Sequence, residues 1–410
     1  MSVASAPGAS LTTADIDVLV AGGGPGGTAI ALLLARNGAS VSVFEQQPSP
    51  SPAGAGILLQ PNGLAVLEGL GLRSPLEAVG TVLRSSPIHD ARGRRLATIA
   101  IPDFGDGLDH ALAVPRSVLS DVFNEAVDAE PNISWHWGTT VTAADADGAV
   151  QISASDGTST TIRARLMIGA DGTNSHVRTP GRFGATVRRT GQHYLRGLVE
   201  APGACGVPMG EYWTRQGLFG LVPLGDGSTY FYADGGADGG ADGDRTSSAL
   251  EPRAVAARWA SALPPVRPLL QMITGDTTLL LNDVTEVTCT SYVDGLCALI
   301  GDAAHAMAPT LGQGANSAFV DAAVLAHLLA TEPDQTRALA AYDRRRRPAV
   351  TRVQRDAHRI MRATAPHGRL ASGCRNALLR LITRAPKQNR RLRRTQQEDP
   401  TLLLEMVARA

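Results

Sequence analysis

The stretch Asp17-Val-Leu-Val-Ala-Gly-Gly-Gly-Pro-Gly-Gly27, followed by the apolar run Ala29 to Ala35, decides the fold of this chain. An apolar strand runs into glycines at Gly22, Gly24 and Gly27 with a helical segment directly behind them, which is what backbone contact with a diphosphate requires. Gly22 permits the tight turn, Gly24 lets the backbone approach the pyrophosphate, and Gly27 lets helix and strand pack closely. The helix then directs unpaired N–H groups and the positive end of its dipole at the phosphates. Glycine turns are common in a chain with 44 glycines, so the context has to support the reading. It does: the helix closes at Asn37-Gly38, and a second strand, Ser40 to Phe44, ends on Glu45, where a carboxylate can accept from the ribose of an adenine dinucleotide.

At 410 residues the chain exceeds what one hydrophobic core holds, so two packed lobes are expected. Its formal net charge is zero, which excludes a global field for nucleic acid or an anionic membrane. Cys205, Cys289, Cys297 and Cys374 have neither metal-ligand spacing nor the density of a disulfide framework; no metal site is expected, and a reducing cytoplasm suits them. Met1 to Thr13 is small and polar and reads as a frayed tail rather than a targeting signal. No apolar run reaches the roughly 18 residues needed to span a bilayer. A cytoplasmic protein without a membrane span is the expectation.

Further along, Ala53-Gly-Ala-Gly-Ile-Leu-Leu-Gln-Pro-Asn62 is too glycine-rich for a helix interior and too apolar for a solvent loop, so Gly56 is expected close to a ligand. Leu83 to Ile101 reads as a hairpin leaving the nucleotide lobe. Ala113 to Phe123 is an extended arrival and then an amphipathic helix with Ser117 as its N-cap; Arg116 at the junction is either a surface cation or an anion clamp. Ser134 to Thr142, Val150 to Ser155 and Thr160 to Arg165 look like an antiparallel meander. Leu166-Met-Ile-Gly-Ala-Asp171-Gly172 returns to the main sheet. A strand buried on both faces can carry an acid only at its C-terminal edge, where open α/β sheets bind ligands.

From Gly184 to about Thr290 the segments are β-like, and Tyr194, Tyr212, Trp213, Phe219, Tyr230, Phe231 and Tyr232 all fall there. Strand propensity favours aromatics, and so does a sheet face roofing an apolar pocket. Arg196, Tyr212, Phe219 and Tyr232 are the substrate-pocket candidates. Ala233 to Arg245 is low in complexity and reads as a flexible loop that lacks the closing Glu of a calcium site. Glu251 to Leu263 and Arg267 to Met272 read as helices. Leu296-Cys-Ala-Leu-Ile-Gly301-Asp302 is a third acid-tipped strand, followed by Ala303-Ala-His-Ala-Met-Ala-Pro309-Thr-Leu-Gly312-Gln-Gly314-Ala-Asn316 and a helix from Ser317 to Leu329. His305 reads as a packed, hydrogen-bonded histidine rather than a base. Beyond Ala338 the Arg-rich helical stretch reads as a solvated face or a subunit contact.

Gly22 to Gly27 with Glu45, Gly169-Ala-Asp-Gly-Thr-Asn-Ser-His-Val-Arg178, and Gly301 to Asn316 together resemble the single-component FAD-dependent aromatic hydroxylases of the para-hydroxybenzoate hydroxylase type. The likeness runs from about Ile16 to about Arg362, and Tyr342-Asp-Arg-Arg-Arg-Arg-Pro348 is similar to the family's C-terminal segment. Glu211-Tyr-Trp to Phe219-Gly-Leu-Val-Pro-Leu224 is most similar to the salicylate, 3-hydroxybenzoate and urate hydroxylase branch. The resemblance implies an α/β fold: a Rossmann-like FAD-binding domain (14–82, 102–183 and 291–345), an interleaved β-sheet substrate domain (83–101 and 184–290), and a C-terminal helical region (346–410).

It also implies roles. Gly22, Gly24 and Gly27 would hold the FAD diphosphate, Glu45 the ribose, Arg116 and Asp302 the ribityl and pyrophosphate region, and Asp171 with Gly172 the DG motif that serves FAD and NAD(P)H. Pro309, Gly312, Gly314, Ala315 and Asn316 would lie against the isoalloxazine, with the helix dipole stabilising reduced flavin by about 0.3–2 kcal/mol. The implied reaction is reduction by NADH or NADPH, formation of a C4a-hydroperoxyflavin with O2, and oxygen transfer to an electron-rich aromatic ring, with no side chain obliged to be nucleophilic. A monomer or homodimer is expected. The family usually has Arg after the acidic residue, whereas Glu45 is followed by Gln46-Gln47; Arg36 is one candidate for the missing cation. Rival readings are a flavin-dependent halogenase, whose tryptophan motif Trp135-His-Trp137 matches only in part, a flavin-dependent reductase, and a flavoprotein that only sequesters a drug-like ligand.

Overall fold

The computed structural model describes residues 16–50, 55–179, 182–235, 251–364, 368–382 and 388–409; the Met1–Thr13 tail and most of the Asp/Gly-rich stretch after Ala233 lie outside these. Strand β1 (Ile16–Ala21) sits at the centre of the main sheet because Val18 to Ala21 are apolar on both faces. Around it the order is β17 (Val293–Asp294), β18 (Cys297–Leu299), β11 (Ser159–Gly169), β1, β2 (Val41–Glu45) and β8 (Ile133–Trp137). All pairings are parallel except that of β17 with β18. The register puts Ala21 opposite Gly169 and Phe44, and Gly169 opposite Leu299, so four strands end level at one edge.

Helix α1 (Pro25–Arg36) starts with Pro at its first position and has every residue from Gly26 to Ala35 buried between the sheet and α8 (Gly314–Thr331). Ser134 to Trp137 departs from the expected meander: β8 is the edge strand of the main sheet. The antiparallel meander is β9 (Thr139–Ala144), β10 (Ala149–Ala154) and the first half of β11.

A second sheet of seven strands is interleaved with the first. Its order is β16 (Leu279–Thr288), β12 (Thr186–Glu200), β15 (Ser228–Asp234), β14 (Leu218–Pro223), β13 (Gly210–Trp213), β5 (Ser85–Asp90) and β6 (Arg95–Ala100). The period of two splits it cleanly. Leu195, Tyr212, Phe219, Leu221 and Phe231 face outward onto Trp259 and Leu263 from the region of α5 (Pro252–Ala262) and Leu269 of α6 (Arg267–Leu270). Tyr194, Trp213, Leu218 and Tyr232 face inward towards Ala308 and Leu311, while Leu198, Val222 and Tyr230 face inward onto Leu58. Leu58 belongs to a three-stranded sheet of β3 (Gly56–Leu59), β7 (Ala111–Pro115) and β4 (Thr81–Leu83).

The remaining helices frame these sheets. They are α2 (Pro61–Gly69), α3 (Arg73–Val79), α4 (Arg116–Asp128), the short α7 (Asp302–His305), the long α9 (Gln335–Thr364), α10 (Arg369–Ile382), α11 (Gln388–Thr395) and α12 (Pro400–Ala408). The residue that caps α4 is Pro115, not Ser117, and Arg116 is its first helical residue. Leu403, Met406 and Val407 of α12 join the core under the main sheet. Among the described residues no helix is long and apolar enough to cross a membrane.

Candidate active site

The glycine loop is shaped by three separate demands. Gly22 has φ +97°, and a Cβ there would lie 2.5 Å from the Ala170 carbonyl oxygen. A Cβ on Gly27 would overlap the carbonyl oxygen of Gly22, so any side chain would push α1 off its strand. At Gly24 a Cβ would meet nothing within 4 Å, and the first turn of α1 has no side-chain cap. An anionic group can therefore approach the bare backbone and its unpaired N–H groups, which fits a diphosphate. Glu45 braces the loop: Gly23 N–H donates to Oε2 at 2.7 Å and Gln47 N–H to Oε1 at 2.8 Å, leaving further lone pairs for hydroxyl donors. Trp135 lies beneath Gly23. Arg36 is not near this end. It lies at the far terminus of α1, about 18 Å along the helix, where it donates to the Leu70 carbonyl at 2.8 Å.

At the next strand end, Asp171 Oδ2 accepts from the backbone of His176 (2.7 Å) and Val177 (3.1 Å), while its buried Oδ1 has no partner among the described residues. Gly172 follows with positive φ. Arg178, not singled out from sequence, ties this loop to the third: it donates to Ala303 O at 2.8 Å and Thr173 O at 2.7 Å.

Asp302 is exposed at the tip of that third strand, beside the start of α8. Behind it Asp321, fully buried, accepts from Gly301 N (2.9 Å) and Arg346 Nε (2.7 Å) and pairs with His305 Nε2 at 2.5 Å. Burial alone would raise the Asp321 pKa, but His305 and Arg346 outweigh it and hold the carboxyl below the usual aspartate range. His305 is thus a packed, paired histidine. Arg346 is not part of a solvated face: at 0% exposure it is a core cation. Pro309, Gly312, Gly314 and Ala315 line the loop into α8, whose first turn has no side-chain cap. Asn316 differs from the expectation of a cofactor contact, because its side chain is turned inward. Its Oδ1 accepts from Gln60 N (2.9 Å), and its Nδ2 donates to Leu58 O (2.9 Å) and Gly312 O (2.7 Å).

On the opposite wall the candidates divide by strand parity. Tyr212 and Phe219 are cross-strand partners on the outward face, packed under Trp259, and do not reach the site. Arg196 and Tyr232 are partners on the inward face. Tyr230, missed from sequence, lies over Gly56, where a Cβ would come within 2.5 Å of its ring. Arg116 stands between Arg196 and Asp302: desolvation and then the charge of Arg196 lower its pKa, against the pull of Asp302 and Tyr230, yet a guanidinium stays charged. The Arg196 guanidinium itself forms no hydrogen bond or ion pair with any described residue. Alternation of residues along β12 to β15 carried the signal that separates Tyr230 and Tyr232 from Tyr212 and Phe219.

A dinucleotide cradle at the edge of a parallel sheet, roofed by the inward face of a second sheet, defines a dinucleotide-dependent enzyme with its ligand space between the two sheets. The sequence matches the FAD binding domain family over residues 15–357, and the chain belongs to that family. It is 28% identical over 389 residues to the aurachin C monooxygenase/isomerase of Stigmatella aurantiaca (94% of this chain, 99% of the relative). It is 32% identical over 376 residues to the 3-amino-4-hydroxybenzoate 2-monooxygenase PtnB3 of Streptomyces platensis (88% and 90%). The structure of Klebsiella pneumoniae HpxO complexed with FAD and uric acid superposes with a TM-score of 0.76 at 25% identity, covering 96% of this chain and 97% of that one. The protein is an FAD-dependent monooxygenase of the single-component aromatic hydroxylase family; FAD is its cofactor, and the family uses NAD(P)H.

Proposed function

We propose that the protein hydroxylates a small acidic aromatic or heteroaromatic compound, taking electrons from NADH or NADPH and one oxygen atom from O2. The observation that carries this reading is Arg196, a half-buried guanidinium unpaired among the described residues, flanked by tyrosines and facing a second cation, Arg116. A cation so placed favours an anionic partner, and a carboxylate matches the guanidinium fork. The names of the relatives support an acidic ring compound, since 3-amino-4-hydroxybenzoate and uric acid both fit that description.

In this reading Gly22, Gly24 and Gly27 hold the diphosphate of FAD, Glu45 its ribose, and Arg116, Asp171, Gly172 and Asp302 the central part. Pro309, Gly312, Gly314 and Ala315 meet the ring, and Asn316 acts indirectly by pinning Gly312 to β3. Bound there, FAD supplies the redox chemistry, from accepting the electrons of NAD(P)H to activating O2. The protein orients the substrate by Arg196, offers its ring the adjoining faces of Tyr230 and Tyr232, and excludes water with Leu198 and Val222. Four free thiols favour a reducing compartment, and the cytoplasm is the proposed location.

The test is NAD(P)H oxidation by the yellow holoprotein with paired ring compounds that carry or lack a carboxylate, run under heavy-isotope O2. Acidic members are expected to stimulate turnover and yield labelled product, and Arg196→Met to raise KM more than it lowers kcat. Unlabelled product, or equal stimulation by neutral analogues, would overturn the proposal.

A further inference from the structure

We infer that Glu211, acting through Tyr232, takes the proton from a ring hydroxyl or an acidic ring N–H of the bound substrate. The inference rests on the reading of this pocket as a site for an acidic aromatic compound and adds a residue set that the cofactor motifs do not contain.

The sheet register makes the case. Glu211 of β13 lies opposite Gly220 of β14, Gly220 opposite Tyr232 of β15, and Tyr232 opposite Arg196 of β12. These four residues form one cross-strand row on the inward face, about 14 Å from end to end at a spacing of about 4.8 Å per strand. Gly220 is what lets the row communicate: a Cβ there would overlap the Tyr232 ring, so only glycine allows the ring to lie flat across β14. Lying there, Tyr232 donates its hydroxyl to Glu211 Oε1 at 3.1 Å, while Trp213 Nε1 donates to Oε2 at 2.8 Å. An indole N–H can only donate, so Oε2 is held as an acceptor and the carboxyl is fixed in plane.

Among the described residues no cation partners this carboxyl. Around it stand Tyr232, Trp213 and Tyr194, with the ring of His89 bonded to the Glu211 backbone; Arg196 and Tyr230 lie beyond Tyr232. A purely structural carboxylate would be expected to have a basic neighbour, since burial without one is costly. Here burial raises the Glu211 pKa, the two donors only partly offsetting it, which makes the group a better proton acceptor. Tyr232 is raised far more, by burial and then by Glu211, so its role is to pass a proton rather than to ionise. In the transfer, the substrate O–H or N–H bond breaks as an O–H bond forms on the Tyr232 oxygen, and the original Tyr232 proton moves to Glu211 Oε1. The electron pair stays on the substrate, and nothing is oxidised or reduced. The ring becomes electron-rich while Arg196 keeps its pairing with the carboxylate.

The probe is 4-hydroxy-3-nitrobenzoate, which offers a carboxylate to Arg196 and a hydroxyl whose ionised form absorbs in the visible. Difference spectra of the oxidised holoenzyme with this probe are recorded across pH for the wild type, Glu211→Gln and Tyr232→Phe, with FAD content and probe affinity measured alongside. The wild type is expected to keep the bound phenolate band to a pH about one unit lower than either variant, about tenfold more anion at a given pH. Should Glu211→Gln lose FAD, Tyr232→Phe carries the same test, because it removes the middle oxygen and leaves the carboxyl in place. Variants that bind the probe and titrate with the wild type would overturn the relay. Wild-type protein that binds the probe no better than Arg196→Met would overturn the acidic-substrate reading, and the relay with it.

Discussion

Replacing Asp321 with Asn removes the one negative charge that Arg346 faces in the core. Both side chains are fully buried, the Arg346 Nε–Asp321 Oδ1 distance is 2.7 Å, and Arg346 Nη1 has no partner among the described residues to fall back on. Breaking such a pair leaves an uncompensated buried cation, which costs about 3–5 kcal/mol. At about 2–4 °C per kcal/mol for a cooperative unit of this scale, the melting temperature is expected to fall by about 6–20 °C. With its oxygen at the Oδ2 position, the asparagine can still accept from Gly301 N and His305 Nε2, so the loss falls on the Oδ1 contact with Arg346. Adding Arg346→Met removes the stranded cation, and the double variant is expected to recover about half or more of the deficit. Because Asp321 titrates below its ordinary range, its contribution is full above the unfolded aspartate value, near pH 4, and is lost as pH falls through the depressed one. The penalty of Asp321→Asn should therefore shrink only in strong acid. Thermal melts followed by flavin fluorescence, from neutral pH downwards, provide the check. A single variant within about 1 kcal/mol of wild type, or a double variant no better than the single, would refute the reasoning.

Three further outcomes are expected. Gly24→Val should leave the melting temperature of the apoprotein unchanged but weaken FAD binding, since that position opens on the ligand side, whereas Gly27→Ala should lower stability itself by about 1–3 kcal/mol through its clash with Gly22; calorimetry with and without FAD separates the two. Asp302→Ala, an exposed change, should keep the fold by circular dichroism but lose flavin on gel filtration, and full flavin retention would count against its role. In thiol titration of the native protein, exposed Cys205 and Cys374 should react quickly, while Cys289 and Cys297, which burial pushes up to about 11 and about 12, should react only on unfolding.

What could be read from the sequence was whatever local pattern determines. The glycine loop, the acid-tipped strands ending at Asp171 and Asp302 and the hairpin of β5 and β6 are each written in fewer than twenty consecutive residues. Their meeting at one edge follows from parallel pairing. Tyr212 and Phe219 depart from the expectation because aromatic content carries no parity: one residue along, Trp213 and Gly220 face the other way. Arg346 was illegible for a different reason. In Arg344-Arg-Arg-Arg347 nothing local distinguishes the third arginine; its partners Asp321 and Gln397 lie 25 and 51 residues away. Asn316 likewise follows the motif, but its hydrogen-bond partners Gln60 and Leu58 lie more than 250 residues earlier.

Those distant partners show how the loop from Pro309 into α8 is held in place. Gly312 and Gly314 have no side chains by which the loop could be anchored, and the buried side chain of Gln313 between them is the handle. The holding is done from behind. Asn62 donates to Gln313 Oε1 at 3.0 Å, and Gln397 donates to the same oxygen at 3.2 Å and to Ser317 Oγ at 2.5 Å while accepting from Arg346 at 2.6 Å. Gln397 adopts φ +69°, a conformation that side chains rarely occupy, and three side-chain hydrogen bonds offset that strain. Asn62 is itself fixed by the neighbouring Gln396, through its backbone N–H (3.1 Å) and its amide (2.9 Å). The turn between α11 and α12 therefore closes a circuit that runs from the end of β3, through the start of α8, to the Asp321 carboxylate and the Gly301 N–H. The C-terminal helices, far from the glycine loop in sequence, belong to the machinery that sets the position of Asp302.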